Sequence, residues 1–166
     1  MFRMKILVPL AALFIASVAQ AATPSAQAPI TSVAMEQYEC FWGTCPHYVV
    51  AINSDGAAGY IGLGVAKRIG PVVLHPPQPA FTRIVRELGA INFSKLRRSY
   101  ASKEDGCKEV WSDQSAVTFY VTRGGKTQTV NLYYGCKLPG VSDKLAALAQ
   151  LIDQVTGIAP LLGRDQ

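Results

Sequence analysis

Ser115-Ala116-Val117-Thr118-Phe119-Tyr120-Val121-Thr122-Arg123-Gly124-Gly125-Lys126-Thr127-Gln128-Thr129-Val130-Asn131-Leu132-Tyr133-Tyr134 decides the fold class. Val117, Phe119 and Val121 alternate with Thr118, Tyr120 and Thr122; in the return segment Val130, Leu132 and Tyr134 alternate with Thr129, Asn131 and Tyr133. Successive side chains of a strand point to opposite faces, so a period of two marks a half-buried strand. Gly124-Gly125 supplies the positive-φ pair that a two-residue hairpin turn requires. The spacing predicts an antiparallel β-hairpin over residues 115–134.

Upstream, the same period predicts strands over residues 30–39, 47–53 and 57–65. In the second, Tyr48, Val50 and Ile52 share a face; in the third, Ile61, Leu63 and Val65 do. Asn53-Ser54-Asp55-Gly56 between them reads as a turn. Gly59, Gly62 and Gly64 match neither nucleotide-loop spacing, so a strand with a bulge or a close backbone approach explains them better. Residues 71–79 carry four prolines and read as an irregular connection.

The period then lengthens. Phe81, Ile84, Val85 and Leu88 give a helical stripe over residues 80–88, with Pro79 suited to the first turn and Gly89 to the stop. Leu145, Leu148, Leu151, Ile152 and Val155 give a final helix, with Ser142 as its expected cap and Gly157 as its end. The order β-β-β-α-β-β-α predicts an α+β domain: an antiparallel sheet of about five strands with two helices on one face.

Charged residues make up 16% of the 166 and hydrophobic residues 49%, against roughly 25% charged in an ordinary soluble domain. That balance excludes a disordered chain. The net charge is +5, yet no run of five basic residues exists, so no nucleic-acid partner is expected.

Residues 1–21 have the three parts of a secretory signal: Arg3 and Lys5, an uncharged apolar run from Ile6 to Val18, and Ala19-Gln20-Ala21. Thirteen apolar residues fall short of the roughly 20 that span a bilayer, so membrane contact is expected only in transit, through the signal peptide. Cleavage after Ala21 would leave 145 of the 166 residues and, without Arg3 and Lys5, a charge of +3. The expected layout is a signal peptide at 1–21, a flexible leader at 22–29, one domain at 30–160 and a tail at 161–166. The expected location is the periplasm or the exterior.

All four cysteines, Cys40, Cys45, Cys107 and Cys136, lie in the exported part. An even count there favours two disulfides, and four cysteines allow three pairings. Local geometry favours Cys40 with Cys45 across a tight turn, leaving Cys107 to pair with Cys136. Cys40 and Cys45 are also the candidate thiol-redox pair, although four residues separate them where such enzymes use two. A zinc set of Cys40, Cys45, His47 and His75 would lose its thiolates on oxidation. No metal ligand set and no cofactor are therefore expected.

The stretch Cys40-Phe41-Trp42-Gly43-Thr44-Cys45-Pro46-His47-Tyr48 resembles the Cys-Phe-Gly-Thr-Cys-Pro-x-Tyr signature of a bacterial family, domain of unknown function 6438, with Trp42 as an extra residue. Asp55-Gly56, Tyr60-x-Gly62, Tyr134-Gly135-Cys136 and the helix carrying Leu148 and Ile152-Asp153 extend the resemblance over roughly residues 30–157. It implies export and a compact domain, and it transfers no catalytic residue.

No catalytic constellation stands out. Ser54, His47 and Asp55 can be written as a triad only on paper, since triads are defined by geometry. The expectation is a non-catalytic binding module for an envelope protein or small ligand. Phe41 and Trp42 are its candidate contact residues, unless Trp42 packs on the sheet edge. The alternative is a redox protein or sensor using Cys40 and Cys45.

Overall fold

Alternation in the sequence becomes a sheet with one dry face. A computed structural model describes residues 28–163. The expected signal peptide, residues 22–27 of the expected leader and residues 164–166 of the expected tail lie outside the described residues.

In chain order the elements are β1 (Ile30–Gln37), β2 (His47–Asn53), β3 (Ala58–Gly64), β4 (Gly70–Leu74), α1 (Ala80–Ala90), β5 (Ser99–Tyr100), β6 (Glu109–Val110), β7 (Ala116–Arg123), β8 (Lys126–Tyr133), β9 (Cys136–Lys137), α2 (Ser142–Thr156) and α3 (Ala159–Leu162). The main sheet has seven strands in the order β4-β3-β2-β1-β7-β8-β5, and β6 pairs with β9 separately. All pairs are antiparallel except β5 with β8.

The register aligns Val50, Met35, Phe119 and Val130 across four strands, flanked by Tyr60 on β3. These residues are buried and form one cluster with Ile84 and Leu88 of α1 and Leu145, Leu148 and Ile152 of α2. Both helices therefore cover the same face, and the opposite face is open, as antiparallel sheets allow. No helix among the described residues is long and apolar enough to cross a membrane.

The α+β class is correct, and several details are corrected. The main sheet has seven strands rather than about five. Residues 71–74, expected as part of an irregular connection, belong to β4. Pro71 is tolerated there because β4 is an edge strand, where a missing N–H need not break a ladder. β5, β6 and β9 are two residues each, too short for any period to reveal. α1 runs through Gly89 to Ala90, with Pro79 just before the helix rather than in its first turn. Ser142 is the first residue of α2 rather than its cap. Its hydroxyl donates to the Leu138 carbonyl at 3.0 Å, and the Leu138 N–H donates back at 3.2 Å. Leu161 and Leu162, expected in a tail, belong to α3 and pack against the core. The hairpin turn has the predicted form, with Gly124 at φ 53 and Gly125 at φ 74.

Candidate functional site

The loop between β1 and β2 is closed by the Cys40–Cys45 disulfide, with Cα atoms 5.3 Å apart. Gly43 at φ 64 turns the chain, and its N–H donates to the Cys40 carbonyl at 2.8 Å. This tight closure turns Phe41 and Trp42 outwards, each 75% exposed, and their rings meet edge-on at 5.3 Å. Trp42 does not pack on the sheet edge. The second bridge, Cys107–Cys136, is buried and fastens the chain before the β7–β8 hairpin to β9 after it.

Behind the loop, on the open face, lies a polar cluster that the sequence did not announce. The Glu36 carboxylate accepts hydrogen bonds from Tyr38 at 2.8 Å and Tyr120 at 3.2 Å, and lies 3.2 Å from Nε2 of His47. Partial burial pushes the Glu36 pKa up, but donation from Tyr38, His47 and Tyr120 and the attraction of His47 outweigh it, so the net value is lowered. Burial first, and then Tyr38 and the carboxylate, push the Tyr120 phenol up to about 12. A carboxylate held ionised by these donors is a poor general acid. The cluster braces β1, β2 and β7. Its only sequence signal is the i, i+2 spacing of Glu36, near the end of β1, and Tyr38 just beyond it.

The helix-covered side uses its polar groups structurally. Tyr48 donates to Asp153 Oδ1 at 2.7 Å, tying β2 to α2, and its ring stacks on Tyr60 at 5.8 Å. Gln37, buried at the end of β1, donates to Ser115 and the Ala116 carbonyl and accepts from Tyr134. A cleft of about 330 Å³ opens beside them, lined by Cys45, Pro46, Ser115, Tyr134 and Asp153. Another cleft, about 640 Å³, lies between α1 and the β7–β8 hairpin. Arg123 and Lys126 line it, with no carboxylate, histidine or cysteine.

Other sequence candidates are separated. His47 starts β2 while Ser54 and Asp55 follow its far end, so the paper triad cannot form. His75 follows β4 at that far end, away from His47. Among the described residues no group of three or more His, Cys, Asp or Glu is placed to hold a metal.

The family model described as Domain of unknown function (DUF6438) matches residues 31–156. The chain belongs to the DUF6438 family. No curated protein and no solved structure matches it. The DUF6438 residues on which the sequence resemblance rested now have physical roles. Tyr48 and Asp153 join sheet to helix. Tyr60 donates to the Arg68 carbonyl at 3.1 Å. A Cβ at Gly62 would collide with that same carbonyl, and one at Gly135 with the Trp111 carbonyl. In this DUF6438 chain those positions serve packing, and what they leave exposed is the Phe41–Trp42 tip.

The open face is also unevenly composed. On β7 and β8 its outward residues include Tyr120, Thr122, Thr127, Thr129 and Asn131. On β3 and β4 they include Ile61, Leu63, Pro71 and Val73, all exposed, and Ile61, Pro71 and Val73 line an apolar depression of about 460 Å³. Val73 is 74% exposed.

Proposed function

We propose that the protein is an exported, disulfide-stapled binding module that acts by docking on a component of the cell envelope, without chemistry of its own. The observation that carries this reading is the exposure of Phe41 and Trp42 on a loop locked by a disulfide. Rigid aromatic side chains lose little conformational entropy on contact, which is why they dominate binding surfaces. The Cys40–Cys45 bridge suits an oxidising compartment such as the periplasm. For the redox alternative the surroundings are unhelpful: the group at the Cys40 sulfur is the Thr44 hydroxyl at 3.4 Å, and His47 is engaged by Glu36. A neutral hydroxyl activates a thiol less than an adjacent cation would.

Two measurements test the reading. Expression from the first residue should yield protein outside the cytoplasm beginning at Ala22, by intact mass and N-terminal sequencing. Trp42→Ala should weaken binding to an isolated envelope fraction by about tenfold or more, with the melting temperature within about a degree of the parent. Full-length protein retained in the cytoplasm would refute export. Undiminished binding by Trp42→Ala would refute the docking loop.

A further inference from the structure

The β1–β2 loop does not stand alone. Gln37 pairs with Tyr48, His47 with Gly64, and Gly62 with Gly70, so this loop and the β3–β4 turn project from the same end of the sheet. That turn carries Val65 and Ile69, both exposed, with Leu63 exposed on the strand leading into it. Lys67 and Arg68 lie between them, also exposed.

The turn is held rigidly. The Arg68 N–H donates to the Leu161 carbonyl at 2.9 Å, Tyr60 donates to the Arg68 carbonyl, and Gly62 makes room for that carbonyl. Val65 has φ 47. A β-branched residue in the left-handed region is strained, and an exposed side chain gains little packing to offset the strain. Such strain is commonest where a residue serves a contact outside the fold.

We infer that this end of the sheet docks on an anionic lipid surface, with Phe41, Trp42, Leu63, Val65 and Ile69 entering the interface while Lys67 and Arg68 pair with lipid phosphates. The inference rests on the docking role of the Cys40–Cys45 loop and names its partner. It departs from the sequence expectation that membrane contact ends with the signal peptide. Charge complementarity selects this occupant. The β3–β4 turn carries two exposed cations, Lys67 and Arg68, and no carboxylate. Glu39, whose carboxylate comes near Gly64, is the exposed acid beside the β1–β2 loop, while Glu36 is taken up by Tyr38, Tyr120 and His47. Tryptophan beside apolar residues and cations is the combination that the headgroup boundary favours, and each nearby cation adds attraction to an anionic leaflet.

The probe is a pair of vesicle preparations, phosphatidylcholine alone and phosphatidylcholine with phosphatidylglycerol at about 3:1, offered to the purified exported protein. The chain has two tryptophans, so a Trp111→Phe background makes emission report Trp42. Expected results are co-sedimentation with the anionic vesicles, a blue shift of Trp42 emission, and release by salt. Lys67→Glu/Arg68→Glu should weaken binding by about tenfold or more, following the roughly 1 kcal/mol per cation typical of such surfaces. Ile69→Ser, a milder exposed change, should reduce both binding and blue shift. Binding to neither preparation overturns the inference, as does binding indifferent to the charge reversal, or a Trp42-dependent dimer in place of vesicle binding. If vesicles are ignored while Trp42→Ala still loses the envelope fraction, the lipid inference falls and the docking reading stands. If Trp42→Ala loses nothing, both fall.

Discussion

Tyr48 shows how one side chain joins two layers. Its ring is buried against Tyr60 and its hydroxyl reaches Asp153 on α2. A hydrogen bond to a carboxylate in a sheltered place contributes about 1.5–3 kcal/mol. Tyr48→Phe should therefore lower unfolding free energy by that amount in urea, with the slope unchanged; a loss under about 0.5 kcal/mol would contradict this role. Glu36 gives a pH signature. Its folded pKa lies below the ordinary 4.5, so its contribution is complete above about pH 4.5 and disappears as pH falls through the lowered value. The stability gap between the parent and Glu36→Gln should be present at pH 5 and close below about pH 4.5. A gap that widened in acid would reverse the sign. Tyr120 acts at the other limit: its pKa is raised from 10.0 to about 12, so its contribution holds below about pH 10 and is lost between there and about 12.

The β7–β8 hairpin was fully legible because its two strands, its turn and its alternation all agree locally. β4 was hidden by Pro71, whose harmlessness depends on β4 being at an edge, a fact of the whole sheet. β5, β6 and β9 exist only through partners distant in sequence. The site was half legible: Phe41 and Trp42 are interface residue types, but only the fold shows that the loop turns them outwards. The Glu36 cluster was illegible because Tyr120 lies 84 residues away and arrives through the β1–β7 register. The two bridges make a prediction at this scale. Loop-closure entropy gives about 2 kcal/mol for the five-residue separation and about 3.5 kcal/mol for the 29-residue one. Cys107 and Cys136 also belong to the core cluster. Replacing Cys107 and Cys136 by Ser should destabilise more in urea than replacing Cys40 and Cys45. The reverse ranking would mean that the exposed loop, and not the β6–β9 junction, anchors the fold.

Across the whole molecule the distribution of surfaces follows from the layering. One face of the sheet is sealed by α1 and α2, and the polar groups beneath them are engaged in packing. The open face is polar over β7 and β8 and apolar over β3 and β4. At the end where the β1–β2 loop and the β3–β4 turn meet, apolar side chains and two cations project together from backbone that is fixed by a disulfide and by hydrogen bonds. A rigid surface of this kind would bind with little ordering cost, which suits the proposed docking role. Hydrogen-exchange mapping of the purified protein, free and with the envelope fraction, tests this most directly. The account predicts new protection confined to residues 40–46 and 63–70, whereas protection over α1 and α2, or at the cleft beside Arg123, with none at that end would contradict it.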